Sequence, residues 1–76
     1  MINKEYDLKN LEEYFWTLDR GEIYDTVISH VERILIQKSL ERTFGNQIMA
    51  AKLLGINRNT LRTKIKKLDI DPEAFK

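Results

Sequence analysis

The chain has 76 residues and a mass of 9.0 kDa, the size of one small domain. Lys and Arg total 13 and Asp and Glu 12, so the net charge of +1 selects no partner by itself. Cysteine is absent, which excludes disulfide frameworks, thiolate zinc sites and thiol catalysis.

The longest apolar runs are three or four residues, far short of the roughly 18 that a membrane span requires. No basic flank leads into an apolar core at the start, so no secretory signal is expected. These features predict a soluble, cytoplasmic domain that makes no membrane contact. A chain this short buries only about 60–65% of its unfolded surface, and self-association is the expected extra source of stability.

The net charge conceals a division. Residues 1–44 carry six basic and nine acidic side chains, a net −3, while residues 45–76 carry seven basic and three acidic ones, a net +4. Between 46 and 68 stand Lys52, Arg58, Arg62, Lys64, Lys66 and Lys67 with no acid at all. Such asymmetry points the second half toward a polyanion, although a charge run alone more often marks a solvated face.

No stretch alternates with period two, and helical spacing explains the apolar positions, so an all-α fold is expected. Residues 1–7 are polar and read as a flexible linker end. Helix one is predicted from Leu8 to Leu18, with Leu8, Leu11, Phe15 and Leu18 on one stripe and Asp7 or Asn10 as cap. Gly21 supplies the turn that ends it.

Helix two is predicted from Glu22 to Phe44 and has two apolar faces. At about 100° per residue, Ile23, Tyr24, Val27, Ile28, Val31, Ile34 and Leu35 share one arc, while Ile36, Leu40 and Phe44 lie nearly opposite. One helix therefore serves two packing partners. Gly45 stops it, and Asn46 caps helix three, Gln47 to Leu54, with Ile48 or Met49, Ala50, Ala51, Leu53 and Leu54 inward.

Gly55 fits a left-handed C′ position, Ile56 plugs the corner, and Asn57 caps helix four, Arg58 to Leu68, with Leu61, Ile65 and Leu68 as its buried stripe. Pro72 ends any helical continuation, and the tail to Lys76 is expected to be loosely held.

Two short helices around a glycine corner, with alanines where they must approach, form the pattern of a helix-turn-helix. The start of helix four carries Arg58, Asn59, Thr60 and Arg62. Arg can donate two hydrogen bonds to guanine, Asn can pair with adenine, and Thr reaches phosphate or a thymine methyl. Lys64, Lys66 and Lys67 are suited to phosphates.

The segment GNQIMAAKLLGINRNTLRTKIKKL, residues 45–68, closely resembles the C-terminal DNA-binding unit of the Fis family. That family includes the nucleoid protein Fis and the terminal domains of NtrC-type activators. A weaker likeness extends back through LEEYF (11–15) and VERILI (31–36). The resemblance implies a homodimer in which the first two helices of each subunit form a four-helix bundle, residues 8–44, flanked by helix-turn-helix units at 46–68. Leu11, Phe15, Val27, Val31 and Ile34 are the expected dimer contacts, and Ile36, Leu40 and Phe44 the expected support for the subunit's own DNA unit.

By position in the motif, the resemblance implies that Arg58 reads guanine, with Asn57, Asn59 and Thr60 contacting base or phosphate nearby. It likewise implies that Asn46 and Gln47 grip phosphate at the start of helix three and that Arg62, Thr63, Lys64 and Lys67 continue the backbone contacts. Ile48 and Met49 depart from a polar, often Thr-Arg, pair, and Thr63 replaces a frequent lysine, so donors are lost from the family's phosphate grip.

The reading favoured on these grounds is the DNA-tethering domain of an NtrC-type activator, located at the nucleoid. A free-standing Fis-like protein that bends DNA is the alternative, and a dimerisation module with decayed DNA binding is the alternative of another class. No nucleophile stands beside a base, and neither a small-molecule substrate nor a cofactor is expected. The lone His30 lacks a second ligand for a metal. Tyr14, Phe15 and Trp16 lie on an acidic helix that repels nucleic acid and are expected as core or dimer contacts.

Overall fold

A computed structural model describes residues 8–17 and 20–76, with side chains from residue 12 onward. Its elements are α1 (Leu8–Thr17), α2 (Ile23–Arg42), α3 (Gln47–Leu54), α4 (Arg58–Lys67) and a 3-10 helix at Pro72–Phe75. Four α-helices and no strand are present among the described residues. The expected linker at 1–7, the end of helix one at Leu18 and the side chain of Leu11 lie outside what is described. The chain forms two compact units, which divide within α2 between Val31 and Glu32.

The first unit holds α1 and the start of α2. Gly21 sits in the left-handed region (φ +79°) between the helices, the conformation glycine adopts without steric cost. Phe15, Ile23, Tyr24, Val27 and Ile28 line an open, almost wholly apolar depression of about 330 Å³. Phe15 and Trp16 are 66% and 82% exposed, so neither is a core residue of the single chain.

The second unit has a continuous core of Ile36, Leu40, Ala50, Ala51, Leu61, Ile65, Leu68 and Ile70, with Leu54, Ile56 and Phe75 packed against it. Ile36 and Leu40 are thus the face of α2 that supports α3 and α4, as their position opposite Val27 and Val31 predicts. Ser39 is buried between them, its hydroxyl satisfied by the Ile36 carbonyl at 2.9 Å.

Phe44 departs from the expected face. It is 75% exposed, and α2 ends two residues earlier, at Arg42. The backbone explains why. The Gly45 amide donates to the Leu40 carbonyl at 2.8 Å, the six-to-one bond of a Schellman ending, which makes Phe44 the left-handed C′ residue (φ +54°). A residue turned out of the helical path cannot continue its apolar stripe.

Gly45 is itself left-handed (φ +81°), and a Cβ there would lie 2.6 Å from the Pro72 carbonyl oxygen. The glycine is therefore required by the tail as well as by the turn. That tail is not loose. Asp71 Oδ1 accepts the Glu73 amide at 3.0 Å, Pro72 opens the 3-10 helix, and Ile70 and Phe75 join the core. Proline at the first position of a helix loses no hydrogen bond, so here it starts structure rather than ending it.

Candidate nucleic-acid interface

Helices α3 and α4 pack on each other through residues chosen for closeness. Ala50 and Ala51 are buried on α3 and meet the fully buried Leu61 of α4 in the common core. Methyl side chains at both positions let the second helix approach without a gap. The remaining apolar residues expected inward on α3 divide: Leu54 joins the core, whereas Ile48, Met49 and Leu53 are about half exposed. An eight-residue helix held on one side by two alanines leaves its other faces uncovered.

The corner follows the sequence closely. Gly55 (φ +76°) donates to the Ala51 and Lys52 carbonyls, and the Ile56 amide closes a second Schellman bond to Ala51 at 3.0 Å. Both caps are in place. Asn46 Oδ1 accepts the Met49 amide at 3.1 Å, and Asn57 Oδ1 accepts the Asn59 amide at 2.7 Å. Each Asn keeps its side-chain NH2, a donor, at the exposed start of its helix.

On α4, Leu61 and Ile65, with Leu68 at its C-cap, form the buried seam. At about 100° per residue, Asn59, Thr63 and Lys66 lie opposite that seam, with Arg62 on one flank and Thr60 and Lys67 on the other. All six are exposed, and so are Asn57 and Arg58 at the tip. No acidic side chain interrupts residues 46–68. The expected reading residues are thereby gathered on one projecting helix. Asn46 is exposed and Gln47 half-buried at the start of α3. Thr63 is exposed, and its hydroxyl donates to the Asn59 carbonyl at 3.0 Å.

Lys64 is placed differently. Its ammonium lies 2.6 Å from Glu32 Oε2 on α2, and both side chains are partly buried. Arg33, the next residue on α2, donates from Nη1 to the Leu68 carbonyl at 2.8 Å. That carbonyl stands just past the last turn of α4, where helix carbonyls lack intrahelical partners and a cation offsets the negative end of the dipole. Sequence reading gives Glu32 and Arg33, within the VERILI stretch, no role of their own. Their partners are 32 and 35 residues away, and no spacing rule reaches that far.

Of the residues expected to pair two copies, Phe15 and Val31 are exposed, and Val27 and Ile34 half-buried. Among the described residues no helix is long and apolar enough to cross a membrane, and no group of three or more His, Asp or Glu gathers to hold a metal ion.

Two helices locked at a glycine corner, the second presenting a cationic, acid-free face, define a helix-turn-helix of the kind that docks in a DNA groove. The comparisons with known proteins agree. Residues 28–68 match the model of "Bacterial regulatory protein, Fis family", and the chain belongs to that family of DNA-binding, non-enzymatic proteins.

The chain is 53% identical to the DNA-binding transcriptional regulator NtrC of Azospirillum brasilense over 82% of its own length, which is 14% of that relative. It is 45% identical to a putative Fis-like DNA-binding protein of Neisseria meningitidis over 75% of its length and 76% of the relative's. It is also 43% identical to the DNA-binding protein Fis of Buchnera aphidicola, with 78% and 64% covered. The chain thus spans about one seventh of the NtrC proteins that it matches. No solved structure matches it.

Proposed function

We propose that the chain binds specific DNA sequences as a homodimer and tethers an NtrC-type transcriptional activator to enhancer-like sites at the bacterial nucleoid. The observation that carries this reading is the exposed, acid-free face of α4, held at a fixed corner by Ala50, Ala51 and Leu61. Arg58 reads guanine in the major groove, and Asn57, Asn59 and Thr60 contact neighbouring bases or phosphate. Asn46 and Gln47 bind phosphate at the start of α3, and Arg62, Thr63 and Lys67 continue along the backbone. Lys64, expected among them, is engaged by Glu32 and is left out of this set.

Residues 8–44 act as the dimerisation segment and 46–68 as the DNA unit. The apolar depression lined by Phe15, Ile23, Tyr24, Val27 and Ile28 supports pairing, because large apolar side chains left in water favour a partner surface. In the partner's presence Phe15, Val27, Val31 and Ile34 are buried in a four-helix bundle.

The 53% identity to NtrC favours the activator; the 45% identity to the Fis-like protein across 76% of its length favours a free-standing, DNA-bending protein as second reading. Measured bending of a bound duplex separates them, a pronounced bend favouring the second. The proposal itself is tested by titrating duplexes at several salt concentrations. A dimer making about six to eight phosphate contacts gives a slope of about −5 to −7 in log K against log salt. A flat response, with sedimentation still reporting a dimer, would replace it with a pure dimerisation module.

A further inference from the structure

We propose that Glu32 and Arg33 clamp the C-terminal half of α4 and so fix where its N-terminal tip points, which makes them positioning residues for DNA reading. This inference rests on the DNA-reading assignment of α4 above. Three attachments hold that helix: the apolar seam of Leu61, Ile65 and Leu68, the Glu32–Lys64 ion pair at 2.6 Å, and the Arg33 hydrogen bond to the Leu68 carbonyl at 2.8 Å.

An apolar seam resists separation but is tolerant of rolling and sliding, because dispersion and burial have no direction. Charge-assisted hydrogen bonds do have direction, and two of them one helical turn apart define an axis. The lever is long. Arg58 is ten residues from Leu68, about 15 Å along the helix at 1.5 Å per residue, so a tilt of about 10° at the clamp moves the tip by about 2.6 Å. A bidentate contact to a base edge does not survive such a shift, whereas a lysine reaching toward phosphate adapts to it.

The clamp also accounts for Lys64. It is the α4 lysine that turns toward α2 and is partly buried, while Lys66 and Lys67 stay exposed. Its charge is spent on orientation and withheld from the non-specific grip of DNA.

The test compares the affinity of the intact chain for a duplex recovered by selection with its affinity for a random duplex of equal length. The variants are Glu32→Gln, Arg33→Met, Arg33→Lys and the swapped pair Glu32→Lys with Lys64→Glu. The two neutralising variants should lower the specific-to-random ratio about tenfold, Arg33→Met by weaker binding of the selected duplex alone and Glu32→Gln also by stronger binding of the random one through the released Lys64, in the range expected for coupled contacts. Arg33→Lys keeps a cationic donor group without the planar fork and should recover part of the ratio. The swap leaves net charge unchanged and should restore the ratio to within about twofold.

Should a neutralising variant melt below the assay temperature, the lysine and swap variants carry the test. Folded variants that keep the wild-type ratio, or a swap as poor as the single changes, overturn the clamp while the wild-type preference stands. A wild-type chain with no preference between the duplexes overturns the DNA-reading assignment, and the clamp with it.

Discussion

Substituting Gly45 with alanine isolates the point where the α2–α3 turn and the C-terminal tail meet. Its φ of +81° lies in the left-handed region, where an L side chain costs roughly 1–2 kcal/mol. The added Cβ would stand 2.6 Å from the Pro72 carbonyl oxygen, a backbone atom that moves only if the 3-10 helix moves with it. Displacing that helix uncovers part of Phe75 and Ile70, so the summed loss is at least about 2 kcal/mol.

For a domain of this size each kcal/mol shifts the melting midpoint by about 4–8 °C, so Gly45→Ala should melt about 8–16 °C lower or more. Thermal circular dichroism at fixed protein concentration measures this, concentration being held because any self-association contributes. The neighbouring residue predicts the opposite sign. Phe44 bears the same left-handed strain at φ +54° and is three-quarters exposed, so Phe44→Gly relieves strain and loses little burial. Set against the added freedom of the unfolded chain, a net gain of about 0.5 kcal/mol and a midpoint about 2–4 °C higher should result. A Gly45→Ala midpoint within a degree or two of wild type would refute both the strain argument and the packed tail.

Leu61→Ala removes a fully buried side chain from the α3–α4 contact and should cost about 2–5 kcal/mol in denaturant unfolding. Asn57→Ala deletes the cap that accepts the Asn59 amide and should cost about 1 kcal/mol by the same assay. Val31→Ala should weaken the proposed dimer; sedimentation of dilute samples should then show monomer, and an unchanged mass would move the pairing surface elsewhere.

Local rules reach some elements here and stop short at others. The α3–α4 corner was legible because each signal is local: Gly55 at C′, Asn57 before the helix, and Leu61, Ile65 and Leu68 at helical spacing. The two faces of α2 were legible for Ile36 and Leu40 but misplaced Phe44, because periodicity carries no information on where a Schellman ending begins. Hydropathy places Ile48 or Met49, together with Leu53, inward, yet a short helix has room for only one buried face and all three are about half exposed. The tail's packing and the Glu32–Lys64 and Arg33–Leu68 links join residues about 30 apart or more, and they exist only once the chain has closed on itself.

The central claim, that the tip of α4 reads base edges, is tested most directly by selecting bound sites from random duplexes with the wild-type chain and with Arg58→Ala in parallel. The wild type should enrich an inverted repeat carrying a guanine in each half, and the variant should enrich the same repeat with that position relaxed, a loss of about 1–3 kcal/mol there. Recovery of the same guanine by both proteins, or enrichment of no repeat by the wild type, would contradict it.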